Sequence, residues 1–169
     1  MNEAILGILR QQITEFTSAR ADRLREQSTK RQHSDLPTPS EDHWKAWAAN
    51  EAEKLLPFAI EVSGEHDDQA PLTESQLSTA SMRASLSGAK ANTARLAANL
   101  YRIRPERRQI AEEMVTIFQR ANAAREPLSA DAAAITEADL QHVSTELAQD
   151  LHDLAARMKA RSVRPTDQD

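Results

Sequence analysis

Histidine and carboxylate side chains follow one stripe of the last predicted helix, where residues of these types are able to bind a metal ion. Spaced by three or four positions, they are Asp139, His142, Glu146, Asp150 and Asp153. A histidine three residues from a carboxylate is a pattern of metal sites in helical bundles. Such a site needs further inward carboxylates, and Glu112 and Glu113 are the only remotely suitable ones. A complete ligand set is missing, so we expect a solvated polar face, with no metal ion and no other cofactor.

Catalytic motifs are absent from the sequence. The chain has no cysteine, no histidine pair of the metalloprotease type and no glycine-flanked serine nucleophile. Its three glycines, Gly7, Gly64 and Gly88, are too scattered to build a phosphate-binding loop. We therefore expect a protein that is not an enzyme and has no small-molecule substrate.

A run of basic residues gives the strongest local signal for a ligand. Between positions 90 and 108 only Glu106 opposes the basic residues Lys90, Arg95, Arg102, Arg104, Arg107 and Arg108. Such a cluster is able to contact nucleic-acid phosphates. The segment also fits a weak helix-turn-helix frame with its turn at 85–87, although that turn has no glycine and an unbroken apolar seam argues against it.

Two apolar groups are candidates for binding a protein partner. Trp44 and Trp47 are either core residues or anchors for another chain, since tryptophan is favoured at interfaces. Leu147, Leu151 and Leu154 form part of the apolar seam of the last predicted helix. We take these five residues as the candidate partner-binding residues.

The composition predicts an all-α protein. Of the 169 residues 29 are alanine, whereas valine, isoleucine and aromatic residues, which favour strands, are few. Apolar residues recur at helical spacing in five segments, which predicts a bundle of about five helices. One of them is long, from about Glu74 to Arg102, because a seam of three- and four-residue steps crosses Gly88 without a break.

Local signals place the ends of several helices. Ser40 has the side chain of an N-cap, and Thr73 with Gln76 has the spacing of a capping box. Pro57 predicts a kink in the second helix, which should end near residues 63–64. Pro105 suits the first turn of the fourth helix.

The predicted organisation has four parts. They are an N-terminal amphipathic helix at 1–27, a polar linker at 28–39, a helical bundle at 40–161 and a mobile tail at 162–169.

The remaining features bear on compartment and partners. The chain has no run of about 18 apolar residues, no positive charge before its first apolar segment and no cysteine, so we expect a cytoplasmic protein that does not enter a membrane. The net charge of -5 does not favour a polyanionic partner overall.

Long helices with alanine-rich seams favour self-association or a helical partner. We therefore predict a non-enzymatic adaptor, chaperone or regulatory subunit that binds a protein partner or itself. The alternative is a DNA-binding or DNA-handling protein that uses the basic run from Lys90 to Arg108.

Overall fold

The computed structural model describes residues 2–30, 39–130 and 137–162, and these form five α-helices with no strand. The helices are α1 (Glu3–Lys30), α2 (Glu41–Glu65), α3 (Glu74–Ala98), α4 (Pro105–Arg125) and α5 (Glu137–Ser162). Short 3-10 turns follow α3 at Leu100–Arg102 and α4 at Pro127–Ser129. The all-α prediction is confirmed. Most of the predicted linker and of the predicted tail lies outside the described residues.

Three of the predicted helix starts are confirmed by their hydrogen bonds. Ser40 Oγ accepts from the amide of His43 at 3.2 Å. Thr73 and Gln76 cap each other: Thr73 Oγ1 accepts from the Gln76 amide at 3.3 Å, and Gln76 Oε1 accepts from the Thr73 amide at 2.7 Å. Pro105 occupies the first turn of α4, where backbone N–H groups have no acceptor within the helix, so the lack of an N–H on proline costs no hydrogen bond.

Helix ends differ from the predicted ones by a few residues. The helix α1 extends to Lys30, three residues beyond the predicted end, and α2 continues through Pro57 to Glu65. The α-helical part of α3 ends at Ala98 instead of Arg102. Beyond it the chain tightens into 3-10 bonds, from the Arg102 amide to Asn99 O at 2.9 Å and from the Ile103 amide to Leu100 O at 3.0 Å.

The chain divides into two compact units, Met1–Ala84 and Ser85–Asp169, and the boundary falls inside α3. The first unit contains α1, α2 and the start of α3. Its core consists of Leu9, Ile13, Leu55, Ala59, Val62, Leu72, Leu77 and Ala80. Gln12 of α1 fixes the chain just before α3, because its side-chain amide accepts from the Leu72 amide at 2.8 Å and donates to the Leu72 carbonyl.

The second unit contains the rest of α3 together with α4 and α5. Its buried apolar residues are Leu86, Ala111, Val115, Ile117, Val143 and Leu154. A polar pair is buried with them: Asn122 Nδ2 donates to Thr93 Oγ1 at 3.1 Å.

None of the helices in the described residues is both long and apolar enough to cross a membrane.

Candidate functional site

A groove lies between α1 and α2 in the first unit. Its volume is about 450 Å³, and its apolar walls include Ile13 of α1 and Leu56 of α2. Three alanines of α2, Ala48, Ala49 and Ala52, leave room between the helices. Small side chains at these positions are the reason why the two helices enclose a recess instead of filling it.

The threonines of the groove add little polarity, because their hydroxyls are used within α1. Thr14 Oγ1 donates to the Arg10 carbonyl at 2.8 Å, and Thr17 Oγ1 donates to the Ile13 carbonyl at 3.0 Å. A threonine with its hydroxyl bonded to its own helix presents mainly its methyl group outward. The groove therefore offers an apolar surface despite these residues.

Charged side chains stand at the rim of the groove. They are Arg10, Lys45 and Glu53. Lys45 Nζ lies 2.8 Å from Glu41 Oε1, and the hydrogen bond and charge of Lys45 hold the pKa of the Glu41 carboxyl below its usual range. Arg10 makes no ion pair within the described residues. The rim thus has one basic group that is already paired and one that is available to an acidic partner.

A second recess continues the groove toward the start of α2. Its volume is about 220 Å³, and it shares Ser18, Lys45 and Ala48 with the first recess before reaching Trp44. The indole N–H of Trp44 is buried and has no acceptor among the residues described. Buried donors without acceptors are rare in folded proteins.

The predicted partner-binding residues fall in different units. Trp44 lines the second recess, and its ring meets that of Trp47 edge to face, with 6.4 Å between ring centroids. Leu147 and Leu151 are half-buried and Leu154 is buried, all three on α5 of the second unit. Of the five residues, only Trp44 is among those that line the two recesses, and it lines the second.

The basic run lies at and before the junction of α3 and α4. Lys90 forms an ion pair with Glu126, and Arg95 donates to Asn92 Oδ1 at 3.0 Å. Arg102 Nε donates to the hydroxyl of Tyr101 at 2.8 Å. Arg104 and Arg107 are exposed, whereas Arg108 is half-buried.

The helix-turn-helix frame is absent, because α3 is a continuous helix through residues 85–87. Any contact of the basic run with nucleic acid must therefore use a different geometry.

Two of the carboxylates considered for a metal site contact arginine side chains. Asp150 Oδ2 lies 2.9 Å from Arg120 Nη1, and Glu113 Oε2 lies 3.0 Å from Arg157 Nη2. His142 Nε2 lies 3.5 Å from Glu146 Oε1. Within the described ranges no group of three or more potential metal ligands comes together.

Two features of the structure were not predicted from the sequence. The groove depends on which face of α2 meets α1, and amphipathic periodicity does not define that pairing. Tyr101 is 68% exposed, although it is the one tyrosine of the chain. Its position next to Arg102, within the basic run and just before a helix that starts with proline, was the available signal.

No family model, curated protein or solved structure matches the chain.

Proposed function

We propose that this protein binds an amphipathic helix of a protein partner in the groove between α1 and α2. The observation that carries the proposal is the shape and chemistry of that groove: apolar walls and an alanine-lined recess with charges only at the rim. A groove of this kind is how proteins hold the apolar face of a partner helix.

The length of the groove supports a helical occupant. The two recesses extend along α2 from Trp44 to Leu56, twelve residue steps, which is about 18 Å at 1.5 Å per residue. A partner helix of about three turns spans this distance. It would place apolar residues at helical spacing against the alanines, at positions i, i+3 or i+4, and i+7.

The charges at the rim of the groove favour a partner segment with an acidic residue at one end. Arg10 is exposed and has no ion pair in the described part of the chain, whereas Lys45 is already paired with Glu41. Charges at a rim direct orientation and association more than they add affinity. We expect a carboxylate of the partner to lie near Arg10.

The experiment is site-specific photo-crosslinking in the cells that naturally make the protein. A photoreactive amino acid replaces Ala49, which is exposed in the groove, and in a control variant it replaces Lys54 on the opposite side of α2. We expect an adduct from position 49 and none from position 54. Mass spectrometry of the adduct should identify a segment of another protein with apolar residues at helical spacing.

Crosslinking alone does not show that the partner segment binds as a helix, so the identified segment is then made as a synthetic peptide. It should gain helical circular dichroism on binding, and Ala49→Trp should weaken binding at least tenfold, whereas Lys54→Trp should not. An adduct with a second copy of this chain would replace the proposal with self-association. A non-helical bound peptide, or equal effects of both variants, would also overturn it.

The proposal includes a non-enzymatic role in the cytoplasm. The lack of cysteine supports a reducing compartment. The involvement of Asp150 and Glu113 in ion pairs supports a structural rather than a metal-binding role for these carboxylates.

A further inference from the structure

Several arginines and one exposed tyrosine lie close together in the sequence where α3 ends and α4 begins, and one of the arginines, Arg102, contacts the tyrosine ring. We call this group the arginine corner, and it consists of Arg95, Tyr101, Arg102, Arg104, Arg107 and Arg108. The segment 90–108 has six basic residues and one acidic residue, a net charge of +5, so the rest of the chain carries -10. A polyanion would therefore be attracted to this segment and repelled by the remainder.

The arginines of the corner form no ion pair with the part of the chain that the structure describes. Elsewhere in the chain Arg83, Arg120 and Arg157 each lie within 3.2 Å of a carboxylate oxygen. Within the described residues no carboxylate pairs with any arginine of the corner. Their contacts are to neutral groups, as in the bonds of Arg95 to Asn92 and of Arg102 to Tyr101. The charges of the four exposed arginines are available to a ligand, namely Arg95, Arg102, Arg104 and Arg107.

Tyr101 supplies a second kind of contact. Its side chain is 68% exposed, and the Arg102 guanidinium carbon lies 5.3 Å from the ring centroid. A large exposed ring beside a cation is a stacking surface, because every nucleic-acid base has a flat face of its own. An acidic protein segment would need the arginines and would gain little from the ring.

We infer that the arginine corner binds single-stranded nucleic acid, with phosphates on the arginines and one base stacked on Tyr101. Unpaired bases expose the faces that stacking requires, whereas a duplex hides them. Duplex recognition by a helix-turn-helix is not available, since α3 continues through residues 85–87. This inference is independent of the groove, which is built from other residues in the first unit.

The test is fluorescence anisotropy of the full chain with labelled oligonucleotides of about 20 nucleotides, across a salt series. The probes are oligo(dT), oligo(rU) and a DNA duplex of the same length, with poly-glutamate as an acidic peptide competitor. We expect both single strands to bind more tightly than the duplex. The two single-stranded probes distinguish DNA from RNA as the preferred ligand.

Two variants separate the phosphate contacts from stacking. Arg104→Gln with Arg107→Gln should weaken binding and reduce the slope of log K against log salt by about 1.4, since each single-strand phosphate contact contributes about 0.7. Tyr101→Ala should weaken binding about 5- to 150-fold with the salt slope unchanged, and Tyr101→Phe should bind like the wild type.

A control variant tests whether the loss of any two positive charges is enough to weaken binding. Arg23→Gln with Lys54→Gln removes two exposed charges from the first unit and should leave binding unchanged. Circular dichroism checks that each variant is folded. The inference is wrong if the wild type does not bind single strands at low salt, or if the control weakens binding as much as the corner variant. It is also wrong if Tyr101→Ala has no effect, or if poly-glutamate competes as well as an unlabelled strand.

Discussion

Replacing Thr93 with valine should destabilise the second unit although the two side chains have nearly the same shape. Thr93 and Asn122 are each only 7% exposed. Thr93 Oγ1 donates to the Ala89 carbonyl at 2.9 Å and accepts from Asn122 Nδ2 at 3.1 Å. Valine keeps the volume but removes the acceptor, so a buried amide donor of Asn122 loses its partner.

The size of the effect follows from that unpaired donor. Leaving a buried polar group without a hydrogen bond costs about 1–3 kcal/mol. Thr93→Ser keeps the hydroxyl and removes one buried methyl group, at about 0.8 kcal/mol. Adding Asn122→Leu to Thr93→Val removes both polar partners, and this double replacement should recover most of the lost stability.

Urea unfolding followed by far-ultraviolet circular dichroism measures these differences. The expected order of stability is wild type, then Thr93→Ser, then Thr93→Val, with the double variant above Thr93→Val. The reasoning is refuted if Thr93→Val unfolds at the wild-type urea concentration. It is also refuted if Asn122→Leu lowers the stability of Thr93→Val further.

Three other predictions concern the first unit, and the fluorescence of its two tryptophans during urea unfolding measures them. Leu9→Ala should lower the free energy of unfolding by about 2–5 kcal/mol, because Leu9 is 0% exposed. The neighbouring replacement Ile8→Ala should lower it far less, because Ile8 is 43% exposed. Thr73→Ala should lower the free energy of unfolding by about 1 kcal/mol because the helix cap is lost, whereas Thr73→Ser should keep the cap and the stability. Arg83→Met should cost about 1 kcal/mol at pH 7, since the guanidinium makes two bonds to Glu65, at 2.7 and 3.1 Å.

The Arg83 prediction has a pH dependence of known sign. The hydrogen bond from Arg83 holds the pKa of the Glu65 carboxyl below its usual 4.5 in the folded chain. A lowered folded-state pKa contributes stability above the unfolded pKa, and this is lost as the pH falls through the folded value. The advantage of the wild type over Arg83→Met should therefore shrink below about pH 4.5.

Other results would contradict these predictions. Equal costs for Leu9→Ala and Ile8→Ala would show that the core is not where the structure places it. A Thr73→Ser variant as unstable as Thr73→Ala would exclude the cap, and a pH-independent Arg83 difference would exclude the link to Glu65.

Helix starts were predictable because their chemistry is local. Ser40, the pair of Thr73 and Gln76, and Pro105 each act within one turn of their own helix, so residue type and spacing were sufficient. The end of α3 was less predictable. The apolar seam continues to Ile103, but the backbone changes to 3-10 bonds after Asn99, where periodicity of three or four residues no longer distinguishes the two helix types.

Contacts between distant residues were not predictable. The bonds of Gln12 to the backbone of Leu72 connect positions 60 residues apart, and nothing in either segment indicates the other. The groove was not predictable for the same reason. Ala49 and Ala52 line it only because α1 packs against α2, and nothing in the sequence around these alanines indicates that packing. The basic run was visible in the sequence, but the exposure of Tyr101 within it was not.

The most direct test of the proposed function is an NMR titration with alanine methyl groups labelled with carbon-13. The probe is the synthetic peptide of the crosslinked partner segment. We predict that the methyl signals of Ala48, Ala49 and Ala52 shift on titration, while those of Ala155 and Ala156 on α5 do not. Unchanged groove signals, or shifts confined to α5, would contradict the proposal that the groove between α1 and α2 holds the partner helix.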